Sequence, residues 1–62
     1  MTTWDTIFAD WATDRGHSVT AATFALIGTP GYTDARAQHT NGASEADVRQ
    51  ALDDAYATVN RP

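Results

Sequence analysis

SEADVRQALDDAYATV, residues 44–59, is the stretch whose reading decides the fold class. Apolar residues fall at Val48, Ala51, Leu52, Ala55, Tyr56 and Val59. They follow the i, i+3, i+4, i+7, i+8, i+11 series, a single stripe on a helix of period about 3.6. Ser44 stands at the N-cap position, where its hydroxyl accepts one of the backbone N–H groups that a first turn leaves unpaired. Asp47 follows as a short-armed version of the capping-box acid. Glu45 and Asp47 also place negative charge at the positive end of the helix dipole. Gly42, just upstream, is suited to end a preceding helix. A stripe of this kind has to be buried, so the other segments are read for what packs against it.

The chain has 62 residues and reads as one small helical domain over residues 1–62. A domain this short buries only about 60% of the surface its unfolded form exposes, so its stability is marginal. It contains no cysteine, which removes disulfides and thiolate metal sites from consideration. The composition, 42% hydrophobic and 19% charged, is that of a globular chain and not a disordered one. Net charge is −4, and all four cations are arginines: Arg15, Arg36, Arg49 and Arg61. Such a chain has no electrostatic footprint for a phosphate backbone or an anionic lipid surface. A nucleic-acid partner is therefore not expected. No apolar run is long enough to cross a bilayer, and a soluble, cytoplasmic protein is expected. Abundant Ala and Thr without Lys is the bias of high-GC coding, so an actinobacterial or phage-like origin is expected.

Residues 1–15 read as a first helix. Trp4, Ile7, Phe8 and Trp11 form an i, i+3, i+4, i+7 stripe with Ala12 beside it, capped by Thr2 or Thr3 and stopped at Gly16. Asp10 and Asp14 repel mildly one turn apart, and Asp14 lies at the unfavourable end of the dipole. Residues 19–27, VTAATFALI, are ambiguous because Val, Thr and Phe favour strands. No other segment offers a pairing strand, so this one is read as a short, mostly buried helix. Ser18 or Thr20 caps it, Phe24 and Ile27 face inward, and Leu26 or Val19 lies at the edge. Thr29-Pro30-Gly31-Tyr32 has Pro and Gly at the two central positions, which predicts a type II turn with Gly31 at positive φ. A short third helix then runs from Ala35 to about Thr40, capped by Thr33 or Asp34, with Tyr32, Ala35 and His39 toward the core. Asn41 and Gly42 end it. The expected architecture is all-α, a small bundle of three to four short helices. The first and last pack across each other, and the middle segment fills the remaining side.

The stretch from Gly42 to Leu52, GASEADVRQAL, resembles the second half of a bacterial helix-turn-helix, the G-V-S-x-x-T-V-x-R-x-L phrase of repressor families. The turn Gly42, the capping Ser44 and the buried Val48 and Leu52 match. The resemblance implies a DNA-binding regulator that reads bases with Arg49 and Gln50. Three features depart from it: Gln38 replaces the small residue expected before the turn, Asp47 stands at the Thr position, and Glu45, Asp47, Asp53 and Asp54 outnumber the one Arg49 on the exposed face. A phosphate backbone would repel that face.

Catalytic and metal chemistry find little support. Asp10, Asp14 and His17 have a common spacing, and His17 lies beyond a helix-stopping glycine, so a solvated face is the expected reading. His17 or His39 beside Ser18 or Ser44 lacks a third orienting group and an oxyanion pocket. Gly28, Gly31 and Gly42 fit no phosphate-binding spacing. No cofactor, no metal and no enzymatic activity are expected. The Trp4, Phe8, Trp11 stripe remains. Two Trp and a Phe on one short helix are wide for so small a core, and Trp is enriched at interface hot spots. The function expected first is a small protein-interaction module, an accessory, inhibitory or minor assembly protein. It binds a larger protein or itself through Trp4, Phe8 and Trp11, with Asp-rich faces steering a basic partner. The helix-turn-helix regulator is the alternative.

Overall fold

A computed structural model describes residues 3–59. They form four helices: α1 (Trp4–Asp14), α2 (Val19–Leu26), α3 (Pro30–Thr40) and α4 (Glu45–Val59). The fold is small and all-α. Met1 and Thr2, which the sequence places in and beside the first helix, lie outside the described residues.

Each helix begins on a hydroxyl. The side-chain oxygens of Thr3, Ser18, Thr29 and Ser44 accept from the backbone N–H of Thr6, Ala21, Tyr32 and Asp47, at 3.3, 3.1, 3.2 and 3.2 Å. Each bond removes one of the unpaired donors of a first turn. α1 and α3 end in Schellman motifs. His17 N–H reaches Ala12 O at 2.9 Å, and Ala43 N–H reaches Gln38 O at 2.9 Å. Gly16 and Gly42 supply the left-handed residue that each motif needs.

The expected type II turn is absent. Thr29 is the N-cap of α3, and Pro30 is its first helical residue. Pro suits that position because its missing N–H is one a first turn leaves unpaired, and its fixed φ is already helical. Gly31 is therefore an ordinary helical residue, and the positive-φ glycines are Gly16, Gly28 and Gly42. The third helix starts five residues earlier than Ala35, and neither Thr33 nor Asp34 caps it.

α3 and α4 make the most extensive helix–helix contact, while α1 and α2 pack on α4 and on each other. An ideal Cβ on Gly31 would stand 2.5 Å from the Cβ of Ala55. Gly31 and Ala55 each lie about 14 Å along their helices from the turn that joins them. Helices leaving that turn at 90–120°, as in a helix-turn-helix, would by then be roughly 20 Å apart. The pair is instead a closely packed antiparallel hairpin, and the geometry that the repressor resemblance implies is not present.

The core gathers Ile7, Phe8, Trp11 and Ala12 from α1, Ala22 and Leu26 from α2, Ala35 from α3, and Val48, Leu52 and Ala55 from α4. Trp4, Tyr32, Ala43, Ala51 and Tyr56 pack around it, half-buried. The stripes of α1 and α4 are thus the buried faces, except that Val59, at the end of the α4 stripe, is exposed. α2 is turned the other way from expectation. Leu26 and Ala22 are buried, while Phe24 and Ile27 point to solvent.

Candidate functional site

The aromatic residues of α1 are held by one continuous ring cluster. Trp4 meets Phe8 at a tilt, 5.8 Å between centroids, and Tyr32 edge-on at 5.6 Å. Phe8 contacts Trp11 at 5.6 Å and Tyr32 at 6.0 Å. Trp11 meets Tyr56 at 5.9 Å, and His17 closes the end by stacking on Tyr56 at 4.2 Å. The centroid separations and tilts are those that favour ring pairs. Phe8 and Trp11, named from the sequence as partner-binding, are fully inside this cluster, and Trp4 is half-buried at its edge. The three residues are brought together, and their shared face is turned into the protein. Trp11 is the largest fully buried side chain of this small core.

A polar seam runs beside the cluster. The Trp11 Nε1–H donates to Asp53 Oδ1 at 2.8 Å. Arg15 donates to the same carboxylate through Nε at 2.8 Å and Nη2 at 2.7 Å, a bidentate pair. These contacts lower the Asp53 pKa below the usual carboxylate range; the Arg15 bond is the largest cause, partial burial opposes it, and the Trp11 bond adds to it. The Arg15 pKa is raised in turn, chiefly by the bond to Asp53. On the same side Arg49 donates to Asp14 at 2.6 Å, and Glu45 lies 3.8 Å away. The Asp14 bond is the main reason the Arg49 pKa is raised. Asp14, at the unfavourable end of the α1 dipole, thereby gains a cation. Arg49, the base-reading residue of the repressor resemblance, is tied down on the α1 side. Gln50 is exposed, and its Nε2 donates to Asp54 Oδ1 at 3.1 Å.

The chemistry-bearing residues are dispersed. Ser18 and Ser44 are engaged as helix caps. His17 stacks on Tyr56, and His39 lies 6.0 Å from Trp4. Among the described residues no group of His, Cys, Asp and Glu is arranged to hold a metal ion. No helix among them is long and apolar enough to cross a membrane.

Two surfaces stand out. The first is the outer side of α2, where Phe24 is 76% exposed and Ile27 59% exposed, with Val19 also open. Leu26 and Ala22, one turn apart, set the buried direction, and Phe24 lies half a helical turn round from it. Phe24 takes no part in the ring cluster that holds Trp4, Phe8, Trp11, Tyr32 and Tyr56. Residues 18–33 carry no charged side chain, so nothing charged belonging to this segment interrupts the face. Its signal in the sequence is that Val19, Ala21, Ala22, Phe24, Ala25, Leu26 and Ile27 surround a helix on every side. Such a helix, lying against only one layer of neighbours, exposes part of that apolar surface. The second surface is a groove between α3 and α4 with carboxylates at its edges. No protein-family model matches the chain, and neither a curated protein nor a solved structure matches it.

Proposed function

We propose that the chain is a small, acidic, non-catalytic protein-interaction module, working in the cytoplasm, whose contact surface is the outer side of α2. The observation that supports this reading is the 76% exposure of Phe24 beside the 59% exposure of Ile27, on a segment free of charge. Burying a side chain of this size is worth about 1.5–3 kcal/mol, and the fold leaves more than half of each side chain open to that gain. Contiguous apolar surface on a small soluble domain marks a contact site more often than chance exposure does. The contact is assigned to α2 in preference to the aromatic face of α1 because Phe8 and Trp11 are buried and Trp4 is half-buried. The partner is a larger protein or a second copy of the chain.

Sedimentation of the purified chain, together with crosslinking capture from extract, tests this reading with wild type and Phe24→Ser side by side. Phe24→Ser is expected to keep the helical signal and to abolish self-association or partner capture. A hot-spot aromatic lost from an interface typically costs about 2 kcal/mol or more, enough to see in one titration. Binding that survives both Phe24→Ser and Ile27→Ser overturns the assignment.

A further inference from the structure

We propose that the groove between α3 and α4 is a second docking site, and that it takes a cationic amphipathic segment of a partner protein. The open groove has a volume of about 520 Å³ and, among the described residues, is lined by α3, α4 and Thr29. That volume is within the range of sites that hold a ligand or several side chains. Its floor is made of small apolar residues: Gly31, Ala51 and Ala55, with Val59 at one end. Its edges carry Asp34, Asp47 and Asp54, and among the described residues no cationic side chain lines it.

Among the described residues the arginines lie away from those carboxylates, with Arg36 beside a separate pocket of α3. Arg15 is committed to Asp53 and Arg49 to Asp14, both on the seam between α1 and α4. Asp34 and Asp47 have no ion pair among the described residues, and Asp54 accepts only from the Gln50 amide, which leaves it further acceptor capacity. The occupant that fits is therefore set by two properties at once. A methyl-lined floor accepts the methylene stems of Lys or Arg, or neighbouring Leu side chains, while the charged heads reach the edge carboxylates. The sign of the field excludes an acidic segment and accelerates a basic one. This site is independent of the α2 surface, which carries no charge and selects for apolar complementarity alone. The chain then presents two faces of different chemistry, as an adaptor does.

Titration of the full chain with a short amphipathic lysine–leucine peptide, followed by backbone amide chemical shifts, tests the proposal. Saturable shifts are expected at Gly31, Asp34, Ala51 and Ala55, weakening as salt is raised. The Asp34→Asn, Asp47→Asn, Asp54→Asn triple variant is expected to weaken binding about tenfold, since each partly exposed ion pair contributes modestly. Thr58→Arg, which puts a cation into the groove from an exposed position, is expected to weaken it similarly without removing any carboxylate. The Asp5→Asn, Asp10→Asn pair removes charge from α1 and is expected to leave binding within about twofold. Phe24→Ser is expected to have no effect, which separates failure of this site from failure of the α2 reading. The proposal is overturned by equal binding of the glutamate–leucine counterpart, or by equal weakening from the α1 pair. Shifts that map to α2, or displacement by spermine as strong as by the peptide, would overturn it as well.

Discussion

Gly31 shows how one residue without a side chain sets a helix pair. Its Cα faces Ala55 so closely that an added methyl would stand 2.5 Å from the Ala55 Cβ and 3.0 Å from its Cα. Gly31→Ala would raise helix propensity in isolation, yet here it overpacks the seam, and a loss of about 1–3 kcal/mol is expected. Removing the opposing methyl makes room, so Gly31→Ala with Ala55→Gly is expected to be more stable than the sum of the two single changes predicts. Urea denaturation of the four proteins measures that coupling, and strict additivity would show that the helices do not meet there. Asp53 is the second residue on which much turns, because it answers both the buried Trp11 Nε1–H and Arg15. Asp53→Ala leaves the indole donor without its acceptor and is expected to cost about 1–3 kcal/mol. Asp53→Asn keeps an amide oxygen for Trp11, loses the charge pair and costs less. The folded-state pKa of Asp53 is depressed, so the stability it contributes is present above the unfolded carboxylate value of about 3.9 and is lost as pH falls through the folded value. Melting midpoints of wild type are expected to fall more steeply than those of Asp53→Asn as pH is lowered below about 4. Parallel curves would remove the carboxylate from the account.

At the scale of elements, the four helices share one local grammar, a hydroxyl N-cap at the start and, for α1 and α3, a glycine-based stop. Helix existence was legible from that grammar, and α1 and α4 were legible down to their buried stripes. α2 was not, because apolar residues on every side leave periodicity nothing to choose between. What decides its rotation is the shape of the neighbours: Leu26 and Ala22 fit against α1 and α4, and Phe24 is left outside. Leu26→Ala is accordingly expected to cost about 2–5 kcal/mol. Phe24→Ala is expected to stay within about 0.5 kcal/mol, as surface changes do. Guanidinium unfolding of the two variants checks the rotation, and the reverse order would mean that α2 packs by the Phe24 face.

For the whole molecule, size and charge distribution matter most. A four-helix core this small has little stability in reserve. Leu52 is fully buried at its centre, and Leu52→Ala is expected to cost roughly 2–5 kcal/mol and unfold most of the population, which circular dichroism reads directly. An unchanged melting midpoint would contradict the core as described. Charge is segregated as well as negative: cations hold α1 to α4, and uncompensated carboxylates are left along the α3–α4 groove. Duplex DNA is therefore expected not to be retained at about 0.15 M salt, where nonspecific binders usually reach roughly 10⁻⁴ to 10⁻⁶ M. A salt-sensitive shift of duplex DNA that disappears on Arg49→Ala would reverse this expectation.

The amino-acid sequence by itself determined that the chain is helical, where α4 begins, and which faces of α1 and α4 are buried. Each of these is local. A cap, a stop and a 3.6-residue period act within a turn or two of the residues that carry them. The Thr-Pro pair at 29–30 was equally local, but a turn and a helix start use the same residues, and the helix start is the one that brings Gly31 against Ala55. The tertiary structure alone decided three further things: that Trp11 and Phe8 are core, that Phe24 is surface, and that Asp34 comes to share a groove with Asp47 and Asp54. Those outcomes depend on which helix lies against which, a matter of side-chain volume and burial summed over the whole molecule, which no window along the chain contains.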